Sequence, residues 1–330
     1  MSANGEGEWV SLVREEPVDA QRRIIDAHHH LWDEGEGLAG APPYLHTHLL
    51  TDINGHNVVG TVYAEVGAGR LKDGPEDFRS VGETAFAAAQ ARLSASTRAP
   101  ILGIVGQADL TIGALLGEVL DAHAVAGEGL FRGIRQLPAG TGGRENFNLF
   151  GDPGLPGGLR LMGARGFSFD VFAIVPQYPD VARLTREAPD TLFVLNHLGM
   201  PMFRPEEQQR DVVMAAWREG MRLLAACPNL VVKIGGIGMD SQFGMGWMKR
   251  PLPPTSDEAV AWWGDDIRWC IETFGPQRCI FESNFPVDRW AMGYTVLWNC
   301  FQKIAAQYGD GEQEELFSGT ATRTYRLKGA

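Results

Sequence analysis

The strongest constraint on this chain is an alternation repeated eight times. A short apolar run is followed each time by a loop and then a helical pattern. The runs fall at about 24–30, 58–65, 100–106, 130–135, 166–171, 191–197, 229–235 and 278–284. No two strand runs are adjacent. Strands joined only by helical crossovers must lie parallel. Eight such units close into a (β/α)8 TIM barrel, an α/β fold. An open doubly wound sheet is the runner-up. It would want a glycine-rich phosphate turn after its first strand, and here that turn reads Asp26-Ala27-His28-His29-His30.

The 330 residues suit one such barrel, residues 22–330, behind a polar N-terminal arm, residues 1–21. The net charge is -12 and no basic run of five appears, which argues against nucleic acid as a partner. The acidic surface also disfavours anionic membranes. The N-terminus has no apolar core of a signal peptide and the chain has no run of 18 apolar residues, so it reads as a cytoplasmic protein. Cys227, Cys270, Cys279 and Cys300 form no CxxC and read as buried reduced thiols. The expected partners are a small-molecule substrate and, by the default of soluble enzymes, a second copy in a homodimer.

In a barrel of this kind ligands bind at the C-terminal ends of the strands. The polar groups there are His28 and His30 on strand 1, Tyr63 and Glu65 on strand 2, and Arg135 on strand 4. They continue with Asp170 on strand 5, Asn196 or His197 on strand 6, Lys233 on strand 7, and Glu282, Asn284 and Asp288 on or just beyond strand 8. Each has an ordinary reading. A strand-end arginine or glutamate is commonly a salt-bridge member, His197 could cap a carbonyl, and Lys233 could pair with a carboxylate inside the barrel. Seven of eight strands nevertheless bring a polar group to one rim. Alternation puts His28 and His30 on one face with Asp26, and His29 on the other. Two imidazoles so spaced can grip a metal or an anionic substrate. Zn²⁺ wants three or four such ligands, and His28, His30 and His197 offer three. The position for an anionic fourth ligand is Asn284, with Glu282 on its face and Asp288 just beyond.

Two long loops, 136–156 and 236–254, should shape the pocket. Phe243, Met245, Trp247 and Met248 in the second read equally as an apolar substrate wall or as packing against a neighbouring loop or subunit.

Asp26-Ala27-His28-His29-His30-Leu31-Trp32-Asp33 resembles the first-strand signature of the amidohydrolase superfamily. Val62-Tyr63-Ala64-Glu65, Leu195-Asn196-His197-Leu198-Gly199 and Phe281-Glu282-Ser283-Asn284-Phe285-Pro286-Val287-Asp288 agree with it. The resemblance covers residues 22–328. It is closest to the amidohydrolase-related branch of metal-dependent TIM-barrel hydrolases that act on lactones, which includes pyrone-dicarboxylate and sugar-acid lactonases. It implies that the first-strand histidines bind metal, that a fifth-strand histidine or lysine joins them, and that an eighth-strand aspartate activates water. This chain departs twice: residues 166–170 hold no histidine, and Asn284 stands where the aspartate would be. Some lactonases of the branch work without metal, so one divalent ion, zinc by preference, and metal-independent catalysis both remain open.

The expected reaction is hydrolysis of a lactone, or of a related C–O or C–N bond, in a small carboxylate-bearing substrate. His28, His30, His197, Glu282, Asn284 and Asp288 form the expected catalytic set. Tyr63, Glu65, Arg135, Asp170 and Lys233 form the substrate-binding set, with Arg135 as carboxylate clamp. Glu282, Asp288 and Asp170 are the candidates for activating water. The alternatives are a lyase or decarboxylase, a lactone isomerase, and a catalytically altered ligand-binding homologue.

Overall fold

Eight parallel strands hydrogen-bond in strict sequence order: β1 (Ile24–His29), β2 (Val58–Ala64), β3 (Ile101–Gly106), β4 (Phe131–Gln136), β5 (Ser168–Val171), β6 (Phe193–Leu195), β7 (Leu230–Ile234) and β8 (Cys279–Phe281). The computed structural model describes residues 9–37, 41–138, 148–203, 205 and 208–329. The barrel closes just past β8. The Asn284 amide donates to the His28 carbonyl at 2.8 Å, and the His30 amide to the Phe285 carbonyl at 2.8 Å. The Asp26 carboxylate accepts the Ser283 amide at 2.9 Å and ties the same seam.

One main helix follows each strand: α1 (His46–Asp52), α2 (Val81–Ser94), α3 (Leu116–Ala126), α4 (Leu155–Ala164), α5 (Tyr178–Glu187), α6 (Arg210–Ala225), α7 (Ser256–Phe274) and α8 (Tyr294–Ala305). Local sequence explains the sharper boundaries. Thr255 and Glu258 form a reciprocal capping box that starts α7. No helix among the described residues is long and apolar enough to cross a membrane.

Strands β6 and β8 end earlier than their apolar runs suggest. His197 and Asn284 adopt left-handed backbone, at φ 54° and 55°, and that turns the chain out of the ladder. Inside the barrel, alternation stacks two layers. Val194, Val231 and Ile280 belong to an inner apolar cluster with Ile25, Val62 and Val105. Two residues on, Asn196, Lys233 and Glu282 form a buried polar layer above it.

The C-terminal tail completes the lower layer. Ala321, Tyr325 and Leu327, past the last strand and its helix, lie in the inner cluster. The Tyr325 hydroxyl reaches Asp170 Oδ2 at 2.7 Å. The arm from residue 9 lies against the barrel. The amides of Val18 and Asp19 donate to Asn299 and Gln302 of α8. Residues 1–8 and 139–147, within the expected arm and the first long loop, fall outside the described residues. In the second loop, Phe243 packs on Trp263 and Trp247 on Trp262, both in α7, so these rings are helix packing rather than a substrate wall. All four cysteines are unpaired and buried.

Candidate active site

A cavity of about 400 Å³ opens at the C-terminal end of the barrel, lined by His30, Glu65, Arg70, Arg135, His197 and Asn284 among others. Phe172 and Met239 add apolar walls. The size and mixed lining suit a small ring compound.

His197 and Glu282 meet across the barrel. His197 Nδ1 lies 2.7 Å from Glu282 Oε1, and the same oxygen accepts the His197 amide at 3.1 Å. A carboxylate oxygen only accepts, so Nδ1 carries the hydrogen and Nε2 keeps its lone pair. No described residue bonds to Nε2. The pairing needs space that only glycine leaves. A Cβ on Gly235 would lie 2.2 Å from the Glu282 carbonyl oxygen, and one on Gly236 only 2.6 Å from His197 Nδ1. Gly236 also sits at φ +65°. The run of left-handed backbone from His197 through Met200 holds the ring over the cavity.

His30 Nδ1 donates to the Ala64 carbonyl at 2.8 Å, which leaves Nε2 as an acceptor. His30 Nε2 stands 3.2 Å from both His28 Nε2 and Asn284 Oδ1. Burial first, then neighbouring cations, hold His28 and His30 well below the usual histidine range, so both rings are neutral. His28 lies between two cations. Arg135 Nη1 is 3.2 Å from its Nε2, and Lys233 Nζ is 3.2 Å from its Nδ1. A neutral imidazole accepts from only one of them.

Four expected site residues are placed otherwise. Tyr63 points away from the cavity and donates to Glu83 at 2.9 Å, on the outer face with His29. Glu65 nevertheless reaches the cavity, because β2 ends at Ala64 and strict alternation stops there. Asp170 and Lys233 are fully buried and paired at 2.8 Å, and neither is among the residues that line the cavity. Asp288 is buried behind Asn284: its oxygens accept from Asn284 Nδ2 at 2.8 Å and from the Gly238 amide at 2.9 Å. Burial raises its carboxyl well above the usual range. Arg135 lines the cavity but spends three of its N–H groups inside the protein. It holds Glu65 Oε1 at 2.7 Å, the Glu65 carbonyl, and His28. Asp26, expected on the face of His28, instead accepts the Tyr294 hydroxyl at 3.0 Å, because the β1 register shifts between Asp26 and His29.

Two residues were missed. Arg70 lines the cavity, and its Nη1 donates to Gln107 Oε1 at 2.9 Å. Both lie past the ends of β2 and β3, where strand alternation gives no signal.

The donor set fits one divalent cation. Three acceptors face each other at His28, His30 and Asn284, and both histidines are neutral as ligation requires. Ligand atoms of His28, His197 and Glu282 also lie within 4.8 Å of one another, and Glu282 Oε2 carries no hydrogen bond. Its nearest neighbours are Nδ1 of the neutral His28 ring at 3.0 Å and the Lys233 ammonium at 3.9 Å. Arg135 and Lys233 place positive charge beside His28, which weakens the hold on any such ion.

The amidohydrolase family model matches residues 25–327. The uncharacterized protein y4mH of Sinorhizobium fredii is 30% identical over 326 residues, 92% of this chain and 98% of that protein. The L-fucono-1,5-lactonase of Burkholderia multivorans is 29% identical over 171 residues, 52% of this chain and 55% of the lactonase. An amidohydrolase from Burkholderia multivorans, solved with bound HEPES, superposes at TM-score 0.74 with 24% identity, covering 92% of this chain and 99% of its own. A second crystal form of it, with bound zinc, superposes at 0.73.

Proposed function

The chain belongs to the amidohydrolase family and is a hydrolase, and on that premise we propose that it opens a lactone by water attack at the barrel mouth. The observation that carries the reading is the His197–Glu282 pair beside the cavity. Its partial likeness to a fuconolactonase supports the lactone.

The lactone carbonyl lies over the cavity floor, where the remaining N–H groups of Arg135 face the developing oxyanion. His197 Nε2 takes a proton from water as the oxygen attacks the carbonyl carbon. Glu282 stabilises the imidazolium that forms. The acyl C–O bond then breaks, and His197 returns the proton to the leaving alkoxide. The product is a hydroxy acid. The Ala64 carbonyl fixes His30 at the cavity edge, and Asp288 fixes Asn284 beside it. Zinc, where bound, would be held by His28 and His30 and would supply Lewis-acid polarisation of the carbonyl, while His197, the expected third ligand, serves as the base.

A panel of five- and six-membered lactones, assayed with wild type and His197→Ala, tests this. Ring opening by wild type that His197→Ala largely abolishes is the expected result. Equal rates in the two proteins would remove His197 from the mechanism.

A further inference from the structure

Among the described residues, the cavity wall carries one cation with no anionic partner. Glu65 and Arg135 neutralise each other at 2.7 Å. Arg70 has no carboxylate partner among the described residues, and its one described hydrogen bond goes to the neutral amide of Gln107. Four of its five N–H donors have no partner among the described residues. A half-buried guanidinium on the cavity wall, with no carboxylate partner among the described residues, asks for an anion, and its planar fork suits a carboxylate.

The loop that carries Arg70 is built rather than draped. One buried carboxylate oxygen of Glu83 accepts the amides of Val66, Gly67 and Ala68 at 2.6, 2.8 and 3.2 Å. Glu36 accepts the Gly69 amide at 2.7 Å. The Leu71 amide bonds to the Arg79 carbonyl. A Cβ on Gly82 of α2 would lie 2.4 Å from the Gly69 carbonyl, so helix and loop are in direct backbone contact. The backbone on both sides of Arg70 is thus fixed before any ligand arrives. Gln107, 8% exposed at the end of β3, then fixes one edge of the guanidinium.

We propose that Arg70, positioned by Gln107, binds a carboxylate on the substrate and selects carboxylated lactones over neutral ones. The role expected for Arg135 passes to Arg70, because Arg135 is committed to Glu65 and His28. This inference rests on the lactone reading for its substrate ring, but not for its anion.

Two measurements separate the inference from that reading. The first compares kcat/KM for γ-butyrolactone and for the same ring bearing a carboxylate at C5. Arg70→Gln should lower the value for the carboxylated ring roughly 10- to 100-fold and leave the neutral ring within about threefold. Arg70→Lys should recover part of the loss, and Gln107→Leu should reproduce part of it, again only for the carboxylated ring. Equal losses on both rings, or no loss on either, would overturn the proposal. The second measures glutarate binding by calorimetry, with no turnover required. Glutarate should bind wild type at least tenfold more tightly than Arg70→Gln. If wild type opens neither ring, glutarate alone decides: Arg70-dependent binding keeps the anion site while the lactone reading falls. Equal affinity in the two proteins, including no binding to either, overturns the anion site.

Discussion

Nδ1 of His197, past the end of β6, sits 2.7 Å from Oε1 of Glu282, past the end of β8, and one carboxylate oxygen thereby fixes both the ring and its backbone amide. The bond dictates which nitrogen holds the hydrogen and so which one can take a proton from water. His197→Ala should lower kcat for lactone opening by roughly 10²- to 10⁴-fold. Glu282→Gln should also lower it, because an amide can accept from Nδ1 yet does not stabilise an imidazolium. Steady-state kinetics on purified variants check both.

The glycine pair after β7 is the physical condition for that bond. Gly236→Ala would push a Cβ to 2.6 Å from His197 Nδ1 at a φ of +65°. It should destabilise the fold by about 1–3 kcal/mol and reduce activity together. Gly157→Ala in α4, where a Cβ meets nothing within 4 Å, is the control. It should be neutral or slightly stabilising. Urea titrations of the two variants supply the comparison.

The barrel itself was legible because the alternation of strand and helix leaves little else for the chain to do. The seats of His28, His30, His197 and Glu282 followed from where the apolar runs end. Three features were hidden for distinct reasons. Tyr63 shares strand parity with Glu65, yet the ladder stops at Ala64 and Glu65 alone turns to the cavity. Arg70 and Gln107 lie beyond strand ends, where no periodicity marks them. Tyr325 enters the barrel from below, a tertiary contact that no local pattern announces. A usable signal was present in Gly235-Gly236-Ile237-Gly238: glycines crowded at a strand end mark backbone approached closely by neighbours.

Glu83 should make stability depend on pH. Burial, then the nearby Glu65 charge, raises its carboxyl from 4.5 to about 7. The fold therefore favours the protonated form. The stabilisation is complete below the unfolded value, near 4.5, and is lost as pH rises through about 7. The full swing is roughly 3 kcal/mol, at about 1.4 kcal/mol per unit. Glu83→Gln should flatten this component of the stability profile between pH 5 and 8, as read by denaturant titrations at several pH values. An unchanged slope in the variant would assign the dependence elsewhere.

A metal, if taken up, should be weakly held. Arg135 and Lys233 both stand 3.2 Å from nitrogens of His28. Elemental analysis should show at most one zinc per chain, removable by dialysis against a chelator and lost in His28→Ala and His30→Ala. Because His197 is the base in either state, chelated wild type should remain faster than His197→Ala.

The central claim is that water, activated by His197, attacks the lactone carbonyl. Turnover in water enriched in oxygen-18, read by mass spectrometry, tests it most directly. The account predicts one heavy oxygen in each product, in the new carboxylate, and almost no product from His197→Ala. An unlabelled isomer of the substrate, or a product that has lost carbon dioxide, would contradict it.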